Sequence, residues 1–215
     1  KIAFVCTDCG TEHGQWQGQC ASCKEWNTLS QINLGNSSST SPATKADFRK
    51  QGYSGDKSNV QNLSDIDLEA LPRFSSSIDE MDRVLGGGLV PGSAILIGGN
   101  PGAGKSTLLL QIMCLLANTG KPALYVTGEE SLQQVGMRAK RLNLPEKNLK
   151  MLAETNVEQI CKAAQEHQPQ LLVVDSIQVM HSGDVASAPG SVSQVRECAA
   201  YLIQYAKQTN TVLFL

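Results

Sequence analysis

The glycine-rich segment from Gly99 to Ser106 is the stretch of this sequence whose residue types and spacing most clearly specify chemistry. It fits the pattern G-x-x-x-x-G-K-[ST], which is typical of a loop that binds a triphosphate. We expect Lys105 to reach the β- and γ-phosphates and Ser106 to place its hydroxyl on Mg²⁺. The residues expected to bind ATP are Gly99, Asn100, Pro101, Gly102, Ala103, Gly104, Lys105, Ser106 and Thr107.

Acidic residues at the ends of two apolar runs complete the chemistry that triphosphate hydrolysis needs. Asp175 ends an apolar run and is expected to hold Mg²⁺ together with Ser106. Glu129 or Glu130, which follow the apolar run at 123–127, should orient or deprotonate the attacking water. We favour Glu129 as the catalytic base because it directly follows the small Gly128, and Glu130 remains the alternative.

Two C-x-x-C pairs near the N-terminus predict a metal site. Cys6 with Cys9 and Cys20 with Cys23 can supply four thiolates to one Zn²⁺ with tetrahedral geometry. Iron or two disulfides are the alternatives, and zinc is favoured because cytosolic proteins rarely keep disulfides. Such a small segment has too few apolar residues to fold unaided, so metal binding should drive its folding. His13 lies between the pairs and is expected to be a bystander.

We expect the remaining cysteines and the two tryptophans of the sequence to have structural roles. Cys114, Cys161 and Cys198 are isolated at apolar positions of helical patterns, so we expect ordinary buried side chains. Trp16 and Trp26 are expected to pack over the metal site.

The chemistry-bearing residues lie in a pattern of alternating strands and helices, which predicts an α/β fold with a parallel sheet and right-handed crossovers. Ligands of such sheets bind at the carboxyl ends of the strands, where Gly98, Glu129 and Asp175 should meet. Strands are expected at 94–97, 123–127, 149–152, 171–175 and 212–215. Helices are expected after Ser77 as far as the glycines at 86–88, and at 108–117, 131–142, 155–167 and 193–208. Ser77 with Glu80, and Thr155 with Glu158, are expected to cap two of these helices, and the first should present Ile78, Met81, Val84 and Leu85 on one apolar face.

Three regions are expected along the chain: a C4 zinc-binding module at 1–29, a flexible linker at 30–62 and an ATPase domain at 63–215 that is incomplete at its C-terminus. The polar composition of the middle region cannot bury enough surface to fold. Its alternative role is an arm that docks on a neighbouring subunit. Structure should resume at 63–71, before Pro72.

Composition sets limits on the function classes. The chain has 215 residues, a net charge of −2 and 18% charged residues, so it has no global attraction to nucleic acid. Any DNA contact must come from a local basic face or from an assembled ring. No apolar run is long enough to span a bilayer and no signal peptide is evident, which favours a cytoplasmic protein. The sequence lacks an initiator Met and stops inside an apolar run, so we expect a fragment.

Two further segments have open interpretations. The small-residue segment 178–190 leaves the strand after Asp175 and is either a mobile loop that touches a second ligand or an ordinary surface loop. Arg138, Lys140 and Arg141 form a basic patch that we interpret as a solvated helix face.

Several motifs together closely resemble the RadA (Sms) family of bacterial DNA repair proteins. They are WQGQCASCKEWN at 16–27, LGGGLVPGSAILIGGNPGAGKST at 85–107, YVTGEES at 125–131 and VDSIQ at 174–178. The resemblance implies a RecA-like P-loop NTPase core, a DNA-dependent ATPase, homo-hexameric rings around single-stranded or branched DNA, and branch migration in homologous recombination, with recombination proteins as further partners. It also implies that Glu129 is the catalytic glutamate and that the loop after Asp175 faces DNA, with 191–197 at its edge. A Lys-Asn-Arg-Phe-Gly motif and a Lon-protease-like domain follow the core in that family and are not in this sequence.

Two other function classes remain open on these residues. The layout of the glycines, the phosphate loop and the paired glutamates is also similar to the KaiC group, which implies a nucleotide-governed switch. The N-terminal cysteine module argues against that group. The third class is a zinc-dependent interaction module on an inert nucleotide-binding scaffold.

Overall fold

The computed structural model describes residues 2–33, 62, 64, 72–185 and 187–215, and two sheets carry its architecture. The small sheet contains β1 (Ile2–Cys6), β2 (Glu12–His13) and β3 (Leu29–Asn33). The strands of the large sheet are β4 (Ala94–Ile95), β5 (Ala123–Thr127), β6 (Leu149–Ala153), β7 (Leu171–Asp175) and β8 (Val212–Phe214). The helices are α1 (Asp79–Val84), α2 (Lys105–Asn118), α3 (Leu132–Arg141), α4 (Val157–His167) and α5 (Val192–Thr209), with a 3₁₀ turn at Ile177–Val179.

The small sheet is antiparallel in the order β2-β1-β3 and carries the cysteine pairs. Cys6 ends β1 and pairs with Leu29 at the start of β3. β3 runs on to Asn33, so ordered backbone extends into the predicted linker. The rest of that linker, apart from Asn62, lies outside the described residues, as does the segment 65–71.

The large sheet is parallel in the order β4-β8-β7-β5-β6, as the α/β pattern predicts. Alternation of side chains along its strands divides the core into two layers. Tyr125, Leu171 and Val173 pack on the side of α2 and α3. Their neighbours Leu124 and Leu172 pack on the side of α4 and α5. The helices therefore cover both faces of the sheet. β5 and β8 lie fully buried between them, and β7 is buried up to Val174.

The N-terminal caps of two helices differ from the expectation. Ser77 has a φ of 67° and makes no capping box, and Ile78 is the N-cap of α1 without a side-chain hydrogen bond. Instead, Asp82 accepts hydrogen bonds from the Ser75 hydroxyl and from the backbone N–H of Ser76. The carboxylate of Asp82, and not the side chain of Ser77, therefore accepts the hydrogen bonds of the donors that precede the helix.

Helix α4 is capped one residue later than expected. Asn156 is its N-cap and accepts a 2.8 Å hydrogen bond from the backbone N–H of Gln159, so Thr155 is not the cap. The expected apolar face of α1 is also wrong at one position, because Val84 is 67% exposed. Ile78, Met81 and Leu85 do pack against the core beside α2.

Within the described part of the chain, every helix is too short or too polar to cross a bilayer.

Candidate nucleotide site and cysteine cluster

The glycine-rich loop joins the end of β4 to the start of α2. Gly102 and Gly104 adopt positive φ angles of 80° and 89°, which a side chain would strain, and Gly104 is the N-cap of α2. No side chain caps this helix end, so its first N–H groups face the loop. The Lys105 ammonium donates hydrogen bonds of 2.7 and 2.9 Å to the carbonyls of Gly99 and Asn100. A cation and free helix N–H groups therefore lie together, as anion binding requires.

Asp175 lies at the carboxyl end of β7, on the sheet face that α2 covers. Leu171 and Val173 point to the α2 side, and a strand period of two places Asp175 on the same side. Asp175 pairs in register with Thr127 at the end of β5, and β8 alone separates β7 from β4. The lysine of the loop, Asp175 and the glutamates after β5 thus belong to one edge of the sheet, at the carboxyl ends of its strands.

Two hydrogen bonds and close packing hold the turn after β5, which carries Glu129 and Glu130. The Thr127 hydroxyl donates to the Glu130 carbonyl at 2.8 Å, and the Glu130 N–H donates back to the hydroxyl at 3.1 Å. A Cβ on Gly128 would lie 2.6 Å from Val179 Cγ2 and 2.8 Å from Met180 Cε. Gly128 is therefore required because the segment after β7 packs directly against it.

The two glutamates of this turn have different partners. Arg138 of α3 bonds both carboxylate oxygens of Glu130 through one nitrogen, Nη2. Glu129 is exposed, and its carboxylate accepts a 2.5 Å hydrogen bond from the hydroxyl of Ser176, the residue after Asp175. Glu130 is thus held by a cation, whereas Glu129 points toward the end of β7.

The environment of Arg138 corrects the interpretation of the basic patch. The side chain of Arg138 is only 17% exposed and is paired with Glu130, so it is not a solvated residue. Lys140 and Arg141 are exposed, as expected. The i,i+8 spacing of Glu130 and Arg138 in the sequence does not indicate a pair, because a turn and a helix cap intervene.

Tyr125 is a site residue that the sequence analysis missed. It is fully buried on β5, and its hydroxyl donates a 2.5 Å hydrogen bond to Oδ2 of Asp175. Burial, the charge of Asp175 and this hydrogen bond together raise its pKa, so the phenol stays protonated. An apolar run that contains a tyrosine gives no sign of this contact, which depends on the pairing of β5 with β7.

The segment after Asp175 is anchored rather than free. The buried side chain of Gln194 on α5 accepts from the Ser182 N–H at 3.0 Å and donates to the carbonyls of Val185 and Ser187 at 3.0 and 2.9 Å. Glu158 of α4 accepts a 2.6 Å hydrogen bond from the Ser182 hydroxyl. These contacts hold Ser182, Val185 and Ser187 in place, in a segment where the sequence suggested mobility.

The four cysteines of the two C-x-x-C pairs come together, with all their sulfurs within 4.8 Å of one another. Cys6 Sγ lies 3.6 Å from Cys23 Sγ, and Cys9 Sγ lies 3.6 Å from Cys20 Sγ. Four sulfurs around one tetrahedral Zn²⁺ at about 2.3 Å would be about 3.8 Å apart, so the arrangement fits this ion. Hydrogen bonds with Thr11 lower the pKa of Cys9 to about 6, whereas burial and hydrogen bonds with the other three cysteines raise the pKa of Cys23 to about 12.

His13 contacts the cysteine cluster from outside. Gln17 Nε2 donates to His13 Nδ1 at 2.8 Å, so Nε2 carries the proton and faces Cys20 Sγ at 3.4 Å. His13 is thus a hydrogen-bond donor to a sulfur rather than a fifth ligand. Trp16 and Trp26, which were expected to pack over the site, are 59% and 68% exposed, whereas Cys6 and Cys20 are fully buried.

The three isolated cysteines are buried, as expected. Burial raises the pKa of Cys114 and Cys198 to about 11 and that of Cys161 to about 12. They remain protonated at neutral pH and serve as small apolar side chains.

The cysteine module touches the larger domain at the first turn of α5. The Ser193 hydroxyl donates a 2.7 Å hydrogen bond to the carbonyl of Thr7, which lies between the first two cysteines. A Cβ on Gly10 would be 3.2 Å from Arg196 Nη1, so this turn packs closely against the helix.

Comparisons with known families agree with this division of the chain. Residues 61–215 match the family described as AAA domain. Residues 4–31 match the rubredoxin metal binding domain, which contains all four clustered cysteines. These matches confirm an α/β core of the P-loop class preceded by a small cysteine metal module.

Curated relatives extend the comparison over the whole chain. The DNA repair protein RadA of Haemophilus influenzae is 59% identical over 216 residues, which cover 100% of this chain and 46% of that protein. RadA of Escherichia coli (strain K12) is 59% identical and RadA of Bacillus subtilis (strain 168) is 42% identical, each with the same coverage. The resemblance to RadA proteins is confirmed, and the chain spans about half the length of these relatives.

Proposed function

Because this chain belongs to the AAA domain family, we propose that it is the ATP-hydrolysing part of a DNA-dependent motor that acts in DNA repair, in branch migration of recombination intermediates. Its relatives carry the name DNA repair protein RadA. The observation that carries the proposal is the placement of a phosphate loop, an acid that suits magnesium and an exposed glutamate at the same edge of the parallel sheet, where the carboxyl ends of its strands lie.

Binding of ATP is assigned to the loop 99–107. Backbone N–H groups at the start of α2 bind phosphate oxygens, and Lys105 exchanges its two carbonyl partners for the β- and γ-phosphates. Thr107 and the loop residues before Lys105 complete the contact with the nucleotide.

Magnesium is assigned to Ser106 and Asp175. In the described part of the chain, Asp175 Oδ2 is bonded to Tyr125 and Oδ1 accepts no hydrogen bond, so a carboxylate oxygen remains for the ion or its water. Mg²⁺ neutralises the charge that develops on the phosphates during hydrolysis. The residues present therefore fit a magnesium ion at this edge.

Glu129 is assigned as the base that orients or deprotonates the attacking water. It is exposed, and Ser176 holds its carboxylate beside the end of β7, next to Asp175. Glu130 is unsuited to this role because Arg138 occupies both of its carboxylate oxygens. The ion pair supports the preference for Glu129 that its place after Gly128 suggested.

The metal module is assigned one structural Zn²⁺ bound by Cys6, Cys9, Cys20 and Cys23. All four ligands are thiolates, which leaves no open position for substrate.

Single-stranded or branched DNA is assigned to the segment after Asp175, with 191–197 at its edge, in a homo-hexameric ring of the full-length protein. Other recombination proteins are further partners under this proposal.

The test is the rate of phosphate release by the full-length protein with and without single-stranded DNA. We expect DNA to raise kcat, and Glu129→Gln to abolish the stimulated rate while nucleotide binding persists. An equal rate with and without DNA would remove the motor assignment. Transfer of the γ-phosphate to the protein itself, without DNA-dependent turnover, would support a nucleotide-governed switch instead.

A further inference from the structure

We infer that Tyr125 is a positioning residue for Asp175, and that its hydroxyl fixes the orientation of the carboxylate that attracts magnesium. This inference rests on the proposed function, because Asp175 is assigned to Mg²⁺ there. Tyr125 itself touches neither nucleotide nor metal in this assignment. It acts through the carboxylate that it holds.

The pairing of β5 with β7 brings the phenol to the carboxylate. Tyr125 pairs in register with Val173, two residues before Asp175 on β7, and both Tyr125 and Val173 face the core beside α2. The long side chain reaches toward the strand end and donates to Asp175 Oδ2 at 2.5 Å. The ring is fully buried, so its direction is fixed by packing and not by solvent.

The neutral phenol suits this task better than a cation would. A neutral donor orients the carboxylate and leaves its negative charge for the metal, whereas a lysine or arginine bonded to Asp175 would cancel that charge. The charges of Asp175 and Glu130 raise the pKa of the Tyr125 phenol, and the charge of Arg138 lowers it. Arg138 is bonded to Glu130, so its charge is directed to the acid that is not assigned to chemistry.

The alternative is a buried tyrosine that only satisfies its own hydroxyl and stabilises the fold. The two roles differ in the requirement for magnesium. A structural role affects the unfolding temperature and leaves the magnesium dependence of nucleotide binding unchanged. A positioning role raises the magnesium concentration that binding needs, even in a folded protein.

The experiment compares Tyr125→Phe with the unchanged full-length protein. The binding of a fluorescent ATP analogue is titrated with Mg²⁺ at fixed nucleotide, and hydrolysis is measured over the same range. We expect the half-saturating Mg²⁺ concentration to rise about tenfold, as for the loss of one hydrogen bond to a charged group. We expect kcat at saturating Mg²⁺ to change much less. An unchanged magnesium requirement would overturn the inference.

Two further variants separate the possible failures. Tyr205→Phe removes the hydroxyl of another buried tyrosine, on α5 in the opposite core layer, and should leave the magnesium requirement unchanged. Asp175→Asn tests the assignment of Asp175 itself. If Asp175→Asn leaves magnesium dependence intact, the proposed function fails. If it abolishes that dependence while Tyr125→Phe has no effect, only the role of Tyr125 fails.

A second measurement covers the case in which Tyr125→Phe does not fold. Incorporation of 3-fluorotyrosine at position 125 keeps the hydroxyl and supplies a fluorine resonance beside Asp175. We expect this resonance to shift when Mg²⁺ is added to the ADP-bound protein. If the fluorine resonance has the same chemical shift with ADP and EDTA as with ADP and Mg²⁺, the inference is overturned.

Discussion

The hydroxyl of Ser176 donates a 2.5 Å hydrogen bond to the carboxylate of Glu129. This contact joins the residue that follows β7 to the turn that follows β5. It places Glu129 beside the strand end that carries Asp175, while Glu130, its neighbour in sequence, is bonded to Arg138 on a helix. Two adjacent glutamates thus have separate partners, and their substitutions should have separate consequences.

Glu129→Gln should lower kcat by about 10²- to 10⁴-fold, the contribution of a positioned general base. Nucleotide affinity should change little because Gln keeps the size of the side chain and its contact with Ser176. Single-turnover hydrolysis and equilibrium binding of an ATP analogue measure the two quantities. A fall in affinity without a fall in kcat would contradict the assignment.

Glu130→Gln is the matched comparison for Glu129→Gln. It leaves the partly buried guanidinium of Arg138 without its carboxylate, so its main effect should be a lower free energy of unfolding. Urea denaturation measures this loss. A larger loss of turnover in Glu130→Gln than in Glu129→Gln, in folded protein, would exchange the roles of the two residues.

Lys105→Ala should weaken nucleotide binding by roughly tenfold or more, because a hydrogen-bonded charge opposite the phosphates is removed. Isothermal titration with an ATP analogue and Mg²⁺ gives the affinity. Lys140→Ala, on the exposed face of α3, removes an equal charge and should leave the affinity unchanged. Equal losses in both variants would indicate a general charge effect and not a phosphate ligand.

Cys23→Ser should release the metal, because a serine hydroxyl does not replace a thiolate ligand at neutral pH. Zinc content should fall from about one ion per chain to nearly none. The N-terminal module should unfold while the core keeps its unfolding temperature. Cys161→Ala, on the buried face of α4, should retain the zinc. Full zinc content in Cys23→Ser would show that the ligand set is wrong.

Gly128→Ala should destabilise the protein by about 1–3 kcal/mol, because the new methyl group would overlap Val179 and Met180. Gly136→Ala is its matched control, since a Cβ at this position of α3 meets nothing within 4 Å. That change should stabilise the helix by about 0.5–1 kcal/mol. Urea denaturation should therefore give opposite signs, and equal signs would contradict the close packing at Gly128.

Local sequence signals were sufficient for the order of the strands and helices of the large sheet and less so for their ends, and they did not indicate β1, β2 and β3 of the small sheet. The helix from Ser131 and the strand at 171–175 lie where apolar periodicity places them. The caps of α1 and α4 were wrong because several Ser, Thr and Asn residues stand near each helix start and compete for the same donors. Asp82, inside α1, binds the preceding backbone, a contact that the spacing rule for capping does not consider.

The sequence by itself predicted which residues are candidates for the chemistry: the phosphate loop, the acids after two apolar runs and the paired cysteines. These depend on local spacing, which one segment of chain contains completely. The tertiary structure decided how those groups are held. Tyr125 meets Asp175 fifty residues away because β5 pairs with β7. Pairing of strands is a property of the whole sheet, so no single stretch of sequence encodes this contact. Arg138 reaches Glu130 because the turn after β5 and the start of α3 set their relative positions.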